Sequence, residues 1–407
     1  MKATKKLFAL FLAFTLLFLT ACNNKPADST IGTGNPQNPV TPNELELKDM
    51  IVCNVNKGSI DLPSRIVYQK NGQIYYYSKV DGQAYVYCFD PLCNHEGLNC
   101  LANPSDPQIL GWSFENTLFI NNRFYTQTPY GKIVSFSFDG TDKKIEYDAG
   151  YALEMANQIG WGSNPISCGP YIYFTQRADE TGEPHTLRFH VETGKFEDLT
   201  AITENYIYPY FVYNGELYGT SNDYKTWIKS DLEVKSCKEI DEIPFSSKFF
   251  GSQFFITSYD ENRNAIGIRI YDMKTGESEI LTNETIGIDH PAYILYVDEN
   301  YIYFYQKERI YIGDRLDKDE VIPYKKENDG SIYRINHDGS GLVCIYEEAE
   351  FEITGFEAAI SGNQFLVKGH NIRVHDLQVE TWDNGLLVGT IGADGKIDSL
   401  DPVEVVE

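Results

Sequence analysis

Basic residues are in short supply in this 407-residue chain: 34 lysines and arginines stand against 59 aspartates and glutamates, for a formal charge of −25 at pH 7. So acidic a surface repels nucleic acid and anionic lipid headgroups, which excludes both as partners. Cationic ligands, divalent metals and basic protein faces stay compatible with it, and its plainest service is solubility. Helical periodicity is equally sparse. Only Tyr151 to Gln158 approaches the helical pattern of apolar positions, so a helix bundle is excluded. Beyond the N-terminal leader, no apolar stretch nears the roughly 20 residues that a membrane-spanning helix needs. The signatures of common catalytic sites are missing as well: there is no G-x-S-x-G elbow, P-loop, H-E-x-x-H pair or EF-hand loop. His95-Glu96 has no second histidine four residues on, and Gly339-Ser340-Gly341 falls in an expected hairpin turn, where serine is a turn former rather than a nucleophile.

What is present begins with the first 22 residues. Lys2, Lys5 and Lys6 precede an apolar run from Leu7 to Leu19, which Leu19-Thr20-Ala21-Cys22 closes with small residues before a cysteine. The run is too short to span a bilayer but suits the core of a signal peptide. The Leu-Thr-Ala-Cys end resembles the lipobox of bacterial lipoproteins, whose cysteine is lipidated and becomes the new N-terminus. This divides the chain into a signal peptide (1–21), a lipidated Cys22 with a tether (22–45), and a folded body (46–407). The tether carries almost no large apolar side chain, so it cannot offset its own ordering entropy. It holds the body roughly 25–30 Å from the lipid. Removing residues 1–21 takes three lysines with it and lowers the formal charge from −25 to −28. The expected location is the cell membrane, facing outside the cytoplasm, with the lipid as the sole attachment.

A repeat runs through the body. Short strands rich in aromatic and β-branched residues recur, as in Gln73-Ile74-Tyr75-Tyr76-Tyr77-Ser78, Tyr171-Ile172-Tyr173-Phe174-Thr175 and Tyr301-Ile302-Tyr303-Phe304-Tyr305. Anchors at Ile74, Phe124, Ile172, Leu217, Phe254, Ile302 and Phe365 are spaced by about 48 residues on average, the length of a four-stranded propeller blade. Each anchor strand is usually followed by a second that alternates apolar and polar residues, such as Ile266 to Asp272, and by an Asp-Gly or Thr-Gly turn. The predicted fold is an all-β propeller of seven four-stranded blades. Counting the insert at 306–330 or the C-terminal tail differently gives six or eight.

The Tyr-Ile-Tyr strands and the segment Ile332-Tyr333-Arg334-Ile335-Asn336-His337-Asp338-Gly339-Ser340-Gly341 resemble the repeats of the LDL-receptor-related (YWTD) and TolB-like propellers. Behind a lipobox, they resemble more narrowly the β-propeller lipoproteins of unknown function from Gram-positive bacteria. The segment from Cys88 to Cys100 is similar to a Cys/His element that such lipoproteins carry after their first blade. The resemblance covers residues 65 to about 375, although no copy has the full Tyr-Trp-Thr-Asp. It implies a fold and a location.

Eight cysteines less Cys22 leave seven. Cys53, Cys168, Cys237 and Cys344 stand apart amid apolar residues and read as small buried side chains. Cys88, Cys93, His95 and Cys100 fall within one short segment with the spacing C-x4-C-x-H-x4-C. Outside the membrane a disulfide forms readily, and Cys93 with Cys100 would staple the loop, leaving Cys88 to pair with Cys53 or to stay single. A structural zinc on all four is the less ready alternative, because the close C-x2-C pair of familiar zinc sites is absent. No other cofactor is expected.

The function these features favour is a non-catalytic module that binds a peptide, glycan or partner protein on a propeller face. The alternative is an exported polysaccharide-active enzyme with two carboxylates at the central channel. Trp112, Trp161 and Trp227 then either stack on sugar rings or, like most propeller aromatics, pack between blades. With Cys22 as the anchor, a Cys22→Ala chain leaves the detergent phase of a Triton X-114 partition and stays in the aqueous phase, whereas the parent chain enters the detergent.

Overall fold

A computed structural model describes residues 51–406 apart from 53–58, 63, 71–72, 89–91, 95–99, 101, 103–116, 128–131, 138–141, 149–164, 178–183, 247, 263, 290, 307–330, 348–357 and 376–377. Within that span the chain forms seven antiparallel meanders of four strands, taken in strict sequence order. The blades occupy residues 59–86, 117–148, 166–198, 208–239, 249–282, 292–346 and 358–402. The molecule is a seven-bladed β-propeller. Helix is confined, among the described residues, to two short turns, Leu199–Thr203 and Asn283–Ile286.

The aromatic anchor strands explain why the sheets stand in a ring. The second strand of each blade is apolar on both faces, so each face must find a different neighbour. Ile302 and Phe304 pack towards the fifth blade, while Tyr303 and Tyr305 pack towards the seventh. Ile172 and Phe174 face the second blade, and Tyr173 between them faces the fourth. The buried side chains accordingly fall into seven clusters, one between each pair of consecutive blades. The last of them joins Leu366 and Leu386 of the seventh blade to Ile66, Tyr68 and Tyr77 of the first, which closes the ring. Each large apolar side chain fully buried in such a seam contributes about 1.5–3 kcal/mol.

Tight turns set the register within blades. Asn214-Gly215 joins Tyr208–Tyr213 to Glu216–Thr220 with both residues at positive φ (49° and 74°), the geometry that matches the twist of a two-residue hairpin. In the same blade the first strand bulges between Pro209 and Phe211. Gly219 lies opposite, and a Cβ there would sit 1.9 Å from the Tyr208 carbonyl oxygen.

The blade count is settled by two connections. The insert after Gln306 joins the second strand of the sixth blade (Tyr301–Gln306) to its third (Ser331–Asn336), so it adds no blade. The C-terminal Val405–Val406 adds no blade either: it runs parallel to Ala84–Val86 and extends the outer edge of the first blade. At the other end Ile51–Val52 pairs with the first strand of the fourth blade on its channel side, and the Ile51 amide donates to the Gly251 carbonyl at 2.8 Å.

One anchor is corrected. Six of the seven lie in the second strand of their blade, but Ile74 lies in the third, Gln73–Ser78, because Ser59–Leu62 forms the first strand and Arg65–Lys70 the second. Its side chain therefore faces the following blade, where the other anchors face the preceding one. The helical reading at 151–158 and the tether fall outside the described residues.

Phe174 is fully buried between the second and third blades. Phe174→Ala should cost about 3–5 kcal/mol in urea unfolding, and Gly219→Ala a comparable amount because backbone rather than side chain must give way.

Candidate functional site: a sulfur cluster and a tyrosine pocket on the first blade

Two loop ends meet on one residue of the first blade. The Ile74 carbonyl accepts from the Tyr87 amide at 2.9 Å, and the Ile74 amide donates to the Ala102 carbonyl at 3.0 Å. Cys88 follows Tyr87 directly, and Cys100 precedes Ala102 by two positions, so both cysteines are held beside the third strand by backbone bonds. Between them, Leu92 is almost fully exposed and Cys93 is half-buried. The result is that the sulfurs of Cys88, Cys93 and Cys100 all lie within 4.8 Å of one another. The structure thus brings together three of the four residues singled out from the sequence. His95 and Cys53 lie outside the described residues.

The chemistry of the cluster is constrained by burial. Cys100 is buried, and desolvation, with the Cys88 and Cys93 sulfurs adding to it, pushes its thiol up to about 12. Burial of this kind disfavours the free thiolate at neutral pH. The other described cysteines behave as small apolar side chains. Cys168 is buried between the third and fourth blades with Cys237 packed on the same cluster. Cys344 lies in the outer strand Val343–Tyr346 of the sixth blade, where burial likewise raises its thiol.

Beside the sulfurs is a pocket of about 610 Å³. Tyr75, Tyr76 and Tyr85 supply rings, Gln73 and Asn94 supply amides, Cys88 forms part of the wall, and Val405-Val406 complete it. Among the described residues that line it there is no aspartate, glutamate, lysine, arginine or histidine. Tyr76 stacks on Tyr85 with centroids 5.3 Å apart and meets Tyr87 edge-on at 6.3 Å. The Arg65 guanidinium lies over the Tyr76 ring, 5.0 Å from its centroid. The hydroxyls are oriented too. Tyr75 donates to Gln73 Oε1 at 2.6 Å, and Tyr85 donates to Asp81 Oδ2 at 2.9 Å. All three stay neutral at physiological pH, since burial raises Tyr75 and Tyr76 and the hydrogen bond to Asp81 raises Tyr85. The sequence reading missed this pocket. Its one trace in the sequence is the run Tyr75-Tyr76-Tyr77, which has more hydroxyls than a wholly buried strand can use.

One described pair of carboxylates, Glu197 with Glu233, is not arranged as an acid and a base. Glu197 and Glu233 converge on one buried guanidinium: Arg188 Nη2 donates to Glu197 Oε2 at 2.7 Å and Nη1 to Glu233 Oε1 at 2.6 Å. Lys195 and Arg188 hold Glu197 below the usual carboxylate range, and Arg188 does the same for Glu233. Both are ionised at neutral pH, whereas acid–base catalysis needs two environments that push the pKa values apart. The network is a staple instead. Arg188 belongs to the third blade and Glu233 to the turn after Trp227–Asp231 of the fourth, and Tyr173 reinforces the joint by donating to the Leu232 carbonyl at 3.0 Å. Trp227 is half-buried against Tyr210, 5.5 Å between centroids, and packs between the fourth and fifth blades. Trp112 and Trp161 lie outside the described residues.

Because both carboxylates are depressed, the staple's stabilisation is complete above the ordinary glutamate range, near 4.3, and is lost as pH falls through the lowered folded values. Arg188→Ala should therefore cost about 2–4 kcal/mol at pH 7, less than for a wholly buried pair because Glu233 is half exposed, and the gap from the parent protein in thermal melts should narrow below about pH 4.

No protein-family model matches the chain, and no curated protein matches it either. Solved structures similar to it include the computationally designed Ika8 protein, at 10% identity and a TM-score of 0.41 over 80% of this chain and 82% of that one. The β-propeller domain of the Trilobed protease from Pyrococcus furiosus is 14% identical with a TM-score of 0.37, over 70% of this chain and 84% of that one. TolB from Acinetobacter baumannii is 11% identical with a TM-score of 0.30, over 83% and 79%. The likeness extends to the propeller architecture, which the seven sheets establish by themselves.

Proposed function

We propose that the protein is a non-catalytic recognition module, carried outside the cytoplasmic membrane on a lipid at Cys22, whose first blade binds an uncharged ligand, best matched by a glycan chain. The observation that carries this reading is the described lining of the pocket: three neutral tyrosines and two amides, with no charged side chain among the described residues that line it. Aromatic faces stack on the C–H faces of sugar rings, while amides and phenolic hydroxyls bond to sugar hydroxyls. The two charged side chains that touch these rings, Arg65 on Tyr76 and Asp81 on Tyr85, are already engaged there, so a charged ligand would lose its hydration on entering. The acidic surface reinforces the choice against nucleic acid and other polyanions. A peptide or partner protein of neutral character is the reading that would take over if glycans fail.

The test is calorimetric titration of the full chain, purified in detergent, with neutral polysaccharide fragments and with uncharged peptides. Tyr76→Ala and Tyr85→Ala should each weaken glycan binding by about tenfold, the equivalent of one stacking contact. Tyr259→Ala, at an exposed site on the fifth blade, serves as the control and leaves affinity unchanged. Glycan binding that ignores both pocket tyrosines would overturn the assignment, as would cleavage of the polysaccharide by the purified protein.

A further inference from the structure

We infer that Cys88, Cys93 and Cys100 form a thiolate site for zinc that fixes the loop beside the tyrosine pocket. The inference is independent of what the pocket binds. It starts from the number of sulfurs gathered: three, within 4.8 Å of one another, from positions spread over thirteen residues of chain. A disulfide would draw two sulfurs together to about 2.05 Å and leave the third outside the bond. A tetrahedral zinc uses all three, and its bond length of about 2.3 Å sets sulfur–sulfur separations of about 3.8 Å. Sulfurs gathered within 4.8 Å of one another are compatible with that arrangement.

The backbone prepares the site as well. Ile74 bonds both flanks of the loop, through the Tyr87 amide and the Ala102 carbonyl, so Cys88 and Cys100 are positioned before any ion arrives. Preorganisation of this kind spares the metal the cost of gathering two of its ligands. Soft thiolates favour zinc over the hard divalent ions, magnesium and calcium. Coordination deprotonates the three thiols, so one proton leaves each sulfur as its bond to zinc forms, and no electron is transferred. The site's place in the fold gives the metal its task. The loop departs from the outer strand Ala84–Val86, and Cys88 forms part of the pocket wall, so a clamp here fixes that wall against the third strand.

The experiment is metal analysis and cobalt substitution on the full chain, purified in detergent without chelator and with thiols trapped at lysis. About one zinc per chain is expected. After exchange, Co²⁺ should show sulfur-to-cobalt charge-transfer absorption and the intense d–d bands of a tetrahedral site. Cys93→Ser should abolish the charge-transfer band or reduce it in proportion to the lost sulfur, and Cys344→Ser on the sixth blade should leave it intact. If Cys93→Ser fails to fold, the cobalt spectrum of the parent protein decides alone. Less than about a tenth of an equivalent of zinc with no cobalt band overturns the site. So does a Cys93–Cys100 or Cys88–Cys93 disulfide in the trapped protein. None of these readouts involves a ligand in the pocket, so failure here leaves the glycan reading standing, and failure of glycan binding leaves the metal site standing.

Discussion

The rest of the molecule depends on the fact that no blade can bury its own apolar surface. A single twisted four-stranded sheet has two faces, and the second strand of each blade here is apolar on both. Phe254 and Phe255 are adjacent in sequence and both fully buried, yet they belong to seams on opposite sides of the fifth blade. A sheet of that kind is stable only between two others, and a row of such sheets is stable only when its ends meet. Stability is therefore a property of the ring, and the loss of one seam is felt by two blades at once.

Polar contacts add direction to this non-directional packing. Tyr173 and Arg188 reach from the third blade to the turn at Leu232-Glu233 of the fourth. Thr257 donates to the Ala292 carbonyl across the joint between the fifth and sixth blades at 2.8 Å, and Gln364 donates to the Tyr77 hydroxyl across the closing joint at 3.0 Å. Each bond ties one blade to its neighbour at a fixed height, which hydrophobic burial by itself does not specify. The Arg188 network is the strongest of these by chemistry, since it joins a buried guanidinium to two carboxylates and stacks it on Tyr171, 4.5 Å from the ring centroid.

Most of this architecture was legible in the sequence because strand burial and turn chemistry are local. Recurring aromatic strands and glycine-bearing turns picked out one strand in each blade, and in six blades it is the second. The first blade departs from the others for a specific reason. Asn71-Gly72 looks like the turns that join first and second strands elsewhere, yet the strand before the preceding turn, Ser59–Leu62, is short and carries only two large apolar residues. Pairing of Leu62 with Arg65, which sequence does not display, shifts the frame by one strand. The cysteines were legible by spacing alone, since soft side chains so close in sequence have few places to go. The tyrosine pocket was not legible, because half of its character comes from Val405-Val406, and parallel pairing with Ala84–Val86 is a contact between distant parts of the chain.

That parallel strand makes the first blade depend on the most distant part of the chain. A chain is synthesised from its N-terminal end, so the strands of the first blade exist long before Val405 and Val406 arrive. Until then its outer strand is an open edge, liable to pair with whatever extended chain lies nearby. When the late strand docks, it covers that edge and in the same step completes the wall of the pocket. Removal of Val405 and Val406 would therefore open the edge of the first blade and take away part of the pocket wall together.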